Sequence, residues 1–477
     1  MIFYKESKLS RTDHILNNKD ESDSISDCSF SDENNVDNFT KIVDIFSSRE
    51  APDISEIEKL VWSLSSDLCD ESVSDSQLGL LFNSNVVDKI TEIILDSSVP
   101  TSARVGSVYL LSKLVRYGSE RLYSTLLERE LLPVIYNLMD CCTIAHHVAR
   151  ILDFFSELAG VDERMNAVVL NYFGIDYVLE KILDYNNSSM ISKCYCQLLG
   201  NIALYRLSND TTIKIINFIK YIVNNIKDSF IWEKCSEMLY NFCELDCIFK
   251  EQLKDEDTYD LISKLLKKGN PKTIKYIVHL IMLLMDYFDL SYLNFNLILS
   301  RLSNINSKAS KHYFTLIRYI IESSEELSYM LIKCKLFDIL MKNFQESSIE
   351  IKGYSLKILI SLVERCGANL LNQIVKKGFV LEFVHLFELY NNDISRDLLF
   401  IFQRLFSDCN DSGILILLKQ QFIENDGINY LESISNCIDD KELSCNSIVL
   451  LKLIDSIKTD EFDDNGKYLF DSDNDDI

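Results

Sequence analysis

Proline and glycine are scarce in this chain: 4 and 13 among 477 residues. These residues punctuate helices and supply the tight turns of sheet proteins, so their scarcity argues against a turn-dense β fold and leaves long stretches free to run helical. Glycine is also too scattered to build a phosphate-cradling loop. Histidine is rare. The six are His14, His146, His147, His279, His312 and His385, and none sits in the HExxH arrangement of a zinc protease. Long apolar runs are missing too. The longest, around Tyr276 to Phe288, is broken by His279 and Asp286 and is too short to span a bilayer.

Basic side chains are outnumbered, with 48 Lys and Arg against 73 Asp and Glu, a net charge of −25 at pH 7. Potential of that sign repels phosphate backbones and anionic lipid. The expected partners therefore include no nucleic acid and no membrane, and basic segments of other proteins suit the charge better. A simpler use of the same charge is to keep a long helical surface soluble. The opening MIFYKESKLSRTDH lacks the apolar core of a secretory signal. The 14 Cys are accordingly expected as free thiols in a reducing compartment, most of them acting as small apolar residues of helices.

The two ends differ from the middle. Residues 1–38 form an acidic, serine-rich segment that cannot bury enough apolar surface to offset its ordering entropy, so a disordered N-terminal tail is expected. Within it Ser24 and Ser29 each have Asp three residues later, a pattern of acid-directed phosphorylation sites. Residues 458–477 form a second acidic tail. Between them, residues 39–457 repeat. A small or polar residue followed by apolar positions three and four apart recurs at Asn85–Leu95, Gly174–Leu183, Gly378–Phe387 and Gly427–Ile434. Weaker copies begin near Asn38, Glu130, Ile216, Asp257, Asn294 and Lys335, mostly at steps of about 40–45 residues, the range of armadillo and HEAT units. A further amphipathic stretch accompanies each copy, as in Arg104–Val115 and Tyr354–Val363. These spacings fit helices and not the period-two alternation of strands. The expectation is an all-α, armadillo/HEAT-type right-handed superhelical solenoid of about ten repeats, because units too small to bury their own apolar face must stack. Its concave side would be an extended binding surface.

Nothing in the sequence assembles into a catalytic constellation, and no enzyme activity, cofactor or metal is expected. Cys142 and His146 could share a helix face, but no further ligands complete a site, and a partly buried His pair is the simpler reading. Cys194 with Cys196, and Cys243 with Cys247, read as core fillers. Two asparagines stand out instead. Asn201 and Asn241 lie in the second halves of otherwise apolar helices, where Asn is a poor helix former. From an exposed helix face each could donate to and accept from the backbone of an extended peptide. A tolerated polar residue on an exposed face is the alternative.

The stretch Asp162–Ile175, running into Leu198-Leu199-Gly200-Asn201-Ile202-Ala203, resembles importin-α, the armadillo adaptor of nuclear import; so does Leu370–Gly378. The likeness extends over most of residues 39–457. It implies cargo-bearing basic peptides held in the inner groove, a place in both cytoplasm and nucleus, and importin-β and the export receptor as partners. In that family each groove Asn follows a Trp by four residues. By the same spacing this chain has Val108, Leu152, Gln197, Glu237 and Lys357 at the Trp places, and Ser112, Ser156, Asn201, Asn241 and Ser361 at the Asn places. Trp62 and Trp232 fall elsewhere in their repeats, and residues 1–38 are acidic where the family carries a basic importin-β-binding segment. The candidate peptide-binding residues are thus Asn201, Asn241, Gln197, Glu237, Ser112 and Ser156. The second function the sequence fits is a general armadillo scaffold for complex assembly with no transport role.

Overall fold

A computed structural model describes residues 86–457, apart from 118–119, 246–247, 288, 303–308, 390, 410 and 437–439. Both tails, the copy near Asn38, Ser24, Ser29, Trp62 and Cys247 lie outside the described residues. Every regular element among the described residues is a helix. The architecture is the all-α repeat solenoid that the apolar spacing predicts.

Nine helix pairs succeed one another among the described residues. We number the second helix of each pair, because these helices form the ladder on which the candidate site lies. They are α1 (Thr101–Tyr117), α2 (Ala145–Ala159), α3 (Ser189–Ile202), α4 (Ser229–Leu245) and α5 (Pro271–Leu284). After them come α6 (Ser310–Ser323), α7 (Ile349–Lys376), α8 (Asn392–Asp408) and α9 (Lys441–Ser456). The chain divides into two compact units, one ending at Tyr172 and one beginning at Phe173. In the first, α1 packs on α2. In the second, α3 to α9 pack each on the next.

Local chemistry sets the helix boundaries. Pro271 opens α5 where its missing N–H costs nothing, and the Asn270 side chain accepts from the Thr273 N–H at 2.8 Å. Asp255, Asn391, Asp411 and Asp440 cap other helices in the same way. Three aspartates at helix N-termini also reach back to a cation of the preceding repeat. Asp228 pairs with Lys193 at 2.9 Å, Asp255 with Lys220 and Asp440 with Arg396. Burial raises the Asp228 carboxyl, but hydrogen bonds from Lys193, Tyr185 and the Ile231 N–H outweigh it and hold it below the usual range. Each such aspartate therefore fixes both where its helix starts and how that helix sits on its neighbour.

The core runs from repeat to repeat. Phe402 of α8 lies 6.0 Å from Phe383, 6.1 Å from Phe387 and 4.7 Å from Phe422 by ring centroids, joining the helix before it and the helix after it to α8. The buried thiols behave as apolar fillers: Cys196, Cys235 and Cys243 are buried and unbridged, and burial pushes the Cys243 thiol up to about 12.

Two features differ from the reading of the sequence. The stretch Tyr354–Val363 and the first seven residues of Leu370–Gly378 belong to one continuous helix of 28 residues, α7, which ends at Lys376. The sharp turns before the first helices do not depend on glycine alone. Gly378 has φ 81°, but at the equivalent place Glu130, Lys335 and Asp426 adopt φ 48°, 70° and 64°. Gly427 opens its helix for another reason. A Cβ there would stand 2.5 Å from the Phe422 ring, so the residue permits close approach and does not supply a left-handed turn. A Cβ at Gly378 would meet nothing within 4 Å, so only backbone strain opposes it. Gly378→Ala is expected to cost about 1–2 kcal/mol of stability, read as a lowered urea midpoint with an unchanged helical spectrum.

Candidate functional site

The six candidate residues fall into two groups. Ser112 and Ser156, on α1 and α2, are 0% and 3% exposed. They lie in the core of the first unit, and the Ser112 hydroxyl donates to the Tyr109 carbonyl at 2.6 Å. Val108 and Leu152 are fully buried too. The expected peptide contacts from these serines are therefore corrected: no guest reaches them. The reason is helical rotation. One residue turns a side chain by about 100°, so a register displaced by one residue moves an exposed row into the core. On α2 the partly exposed positions beside Leu152 and Ser156 are Asp153 and Glu157, whereas on α1 Tyr109 and Lys113 are buried as well and Arg116 is exposed. Charges pair off there. Lys113 Nζ stands 4.6 Å and Arg150 Cζ 3.8 Å from the centroid of the Tyr109 ring. Arg116 meets Glu157 at 2.5 Å, and Arg150 meets Asp153 at 3.5 Å.

In the second unit Gln197, Asn201, Glu237 and Asn241 all lie partly exposed on α3 and α4. The two helices approach closely enough that a Cβ on Gly200 would touch the Lys234 stem at 3.7 Å. Gln197 Nε2 donates to Asn201 Oδ1 at 3.2 Å, one turn along the same face. Glu237 accepts from Lys234 Nζ at 2.8 Å and from the Tyr276 hydroxyl of α5 at 3.0 Å. One turn further along α4, the Asn241 Nδ2 is shielded from solvent and has no acceptor among the described residues. A buried donor left unmade costs roughly 1–3 kcal/mol, which an incoming carbonyl would relieve.

Aromatic rings flank this amide face, and the sequence reading missed them. Tyr240 lies 6.2 Å from Tyr276 and 5.8 Å from His279 by ring centroids. His312 of α6 follows, close enough to His279 for their charges to interact. Tyr240, Tyr276 and His312 recur every 36 residues, a step shorter than the 40–45 by which the repeats are recognised. Burial and the neighbouring Glu244 carboxylate push the Tyr240 phenol up to about 12, and burial with Glu237 drives Tyr276 higher still. Both stay protonated donors. Trp232, by contrast, is core, with its Nε1 donating to the Ile226 carbonyl at 2.7 Å.

The acid of the chain does not line this face continuously. Residues 1–85 carry 18 acidic side chains against 7 basic ones and residues 458–477 carry 8 against 2, so most of the net charge lies outside the described residues. On the ladder, Glu233, Glu237 and Glu244 concentrate on α4. Glu233 accepts from Asn270 at 2.9 Å and has Lys272 at 3.9 Å. The helices α5 to α7 add Lys275, Arg318 and Lys357. The expectation of a surrounding acidic field is thus narrowed to α4.

Among the described residues no group of three or more His, Cys, Asp or Glu is arranged to hold a metal ion. Cys142 Sγ donates to the Leu138 carbonyl at 3.2 Å, while His146 Nε2 accepts from Arg150 at 3.3 Å.

The described residues thus form an all-α repeat solenoid. No protein-family model matches the chain, and no curated protein does. Among solved structures, the chain is similar to an engineered protein at 13% identity and a TM-score of 0.56, over 88% of this chain and all of that one. It also matches a designed armadillo repeat protein at 15% identity and a TM-score of 0.40, over 52% of this chain and 99% of that one. At such identities the first likeness speaks for the fold alone.

His312 gives this face a pH dependence. Burial, helped by Lys311, His279 and Lys275, holds its imidazole at about 4 against an ordinary 6.5. The unfolded chain binds the extra proton between those values, so the contribution to stability is complete above 6.5 and lost as pH falls toward 4. Urea midpoints of His312→Gln are expected to decline less than those of the unaltered protein between pH 7 and pH 4.5.

Proposed function

We propose that this protein is a non-enzymatic adaptor that holds extended, basic peptide segments of other proteins against α3, α4 and α5. The observation that carries this reading is the unpartnered Asn241 amide on a face that also presents Asn201, Glu237, Tyr240 and Tyr276. A ladder of side-chain amides on successive helices can match the repeating donors and acceptors of an extended backbone. Glutamates beside it favour Lys and Arg, and tyrosine faces can take the place of the missing tryptophans against cationic side-chain stems. Charge here contributes mainly to encounter rate and to exclusion of wrong partners.

The finer form of the proposal is an importin-α-like carrier that moves cargo between cytoplasm and nucleus, with importin-β and the export receptor as partners. It rests on the Asn201 and Asn241 positions and the stretch leading into Gly174. The second reading is a general scaffold for assembling complexes, without transport. The self-paired charges of α1 and α2, Arg116 with Glu157 and Arg150 with Asp153, favour it, because the importin-α Trp and Asn places there are the buried Val108, Ser112, Leu152 and Ser156.

Fluorescence anisotropy with a labelled, extended Lys- and Arg-rich peptide tests the shared claim. Asn241→Ala is expected to weaken binding roughly 2- to 13-fold, the loss of one hydrogen bond; equal affinity for variant and parent would sink it. Pull-down on importin-β and on the export receptor separates the two forms. Capture by either is expected of a carrier, and capture by neither leaves the scaffold.

A further inference from the structure

A second surface of the same unit has different chemistry. A cleft of about 780 Å³ opens beyond the C-terminal ends of α5 and α6. Met282, Met285, Leu327, Met330 and Tyr319 line it, together with the short 3-10 turn Leu290–Tyr292. Three of the chain's 9 methionines are thus gathered at one place, each partly exposed. Methionine is unbranched, polarizable and free to adopt several rotamers, so a surface built from it adapts to apolar side chains of different shape. Tyr319 adds an aromatic ring that is 38% exposed.

Every charged residue lining the cleft is acidic: Asp286, Asp289 and Glu326. All three are exposed. The backbone adds to the same sign. The last turns of α5 and α6 both end here without a basic side chain to offset their carbonyls, and helix C-termini carry partial negative charge. The helix Glu325–Lys333 starts at the rim, but its first turn is already occupied by Glu325 and Glu326 and capped by the Ser324 hydroxyl. Ser291, Ser323 and Ser324 complete the lining, so methionine and leucine side chains alternate with hydroxyls and carboxylates, a mixture that complements a guest pairing apolar side chains with lysine or arginine.

We infer that this cleft is a docking site for a basic amphipathic segment of a partner protein, which seats large apolar side chains among Met282, Met285 and Met330 and sets its cations against Asp286, Asp289 and Glu326. The inference extends the peptide-holding reading above, but needs neither Asn241 nor Glu237. A segment recognised here is selected by its apolar residues, whereas the α3–α5 face selects extended backbone and charge. Together the two surfaces would read one guest at two places or two guests at once.

Methionine methyl spectra of the full chain test this. The protein is labelled with 13C at its methionine methyl groups, and signals are assigned by single Met→Leu variants. It is titrated at about 150 mM salt, where the screening length is about 8 Å, with a 14-residue peptide of Leu and Lys patterned for one helix face. A second peptide replaces every Leu by Ser at the same charge. The expected result is that the methyls of Met282, Met285 and Met330 move together with the Leu–Lys peptide and not with the Ser–Lys peptide. Asp286→Asn combined with Glu326→Gln should weaken that titration at least threefold, while Asn241→Ala leaves it unchanged. Absence of shifts, equal shifts with the Ser–Lys peptide, or movement of the other methionines alone would overturn the inference. Shifts of the same three methyls on raising protein concentration without peptide would also overturn it, by assigning the cleft to a second copy of the chain. Loss of the Asn241 effect on the Lys- and Arg-rich peptide, with these methyls still moving, would overturn only the earlier reading.

Discussion

Each ladder helix buries only part of its apolar surface within its own repeat and depends on the neighbouring repeat for the rest. Phe344 stands edge-on to Phe379 and Phe383, Phe383 to Phe402, and Phe402 to Phe422, so no single pair of helices closes its own core. Polar links follow the same direction. Tyr313 donates to the Leu266 carbonyl and Lys264 to the Val223 carbonyl at 2.8 Å, each across a repeat boundary. Stability in such a stack is the sum of unit terms and nearest-neighbour terms, and the neighbour terms must carry it. Within the first unit Arg129 meets Asp88 at 2.7 Å, tying one first helix to the end of the turn before the next.

The same constraint decides what can be a site. Because the ladder helices are gripped on two sides, only a narrow row of each is free to carry chemistry, and its angular position is set by which residues the neighbours bury. On α4, Met238, Leu239, Phe242 and Cys243 are buried, which leaves Glu237, Tyr240 and Asn241 facing outward. On α1 burial is more complete: Tyr109, Leu110, Leu111, Ser112, Lys113, Leu114 and Val115 are all buried, and Arg116 is the next exposed residue. Function in this fold is a question of register first and residue type second.

That is also why the sequence was more legible for fold than for site. Apolar residues at helical spacing, with so few breakers, leave a stacked helical chain as the economical solution, and the first helices fall where the spacing puts them. Gly378 and Pro271 announce their boundaries through their own backbone chemistry. Lys335, Asp426 and Glu130 do not: nothing in a lysine or glutamate side chain signals a left-handed turn that packing imposes. The site was half readable. Asn201 and Asn241 stand out because an amide in an apolar helix is unusual, and both are partly exposed, on α3 and α4. Serine is small enough for core or surface, so Ser112 and Ser156 gave no signal of their burial. The Tyr240, Tyr276 and His279 cluster joins residues that become neighbours only once α4 and α5 are packed side by side.

Charge follows from the stacking as well. Cations and carboxylates on successive helices are brought within reach of each other, and they pair: Asp228 with Lys193, Asp440 with Arg396, Arg116 with Glu157. A carboxylate that has a partner in its own fold offers less to a guest, since the guest must compete with that partner. Exposed pairs of this kind contribute about 0–1 kcal/mol each, so they steady the stack without binding it tightly. On the ladder face of α3 to α5 the group that stacking leaves unsatisfied is the Asn241 amide, while the Tyr240 and Tyr276 hydroxyls already donate to Glu244 and Glu237. On the proposed peptide-holding reading, the ladder face selects through neutral polar side chains, while the net charge of −25 raises the encounter rate with basic segments.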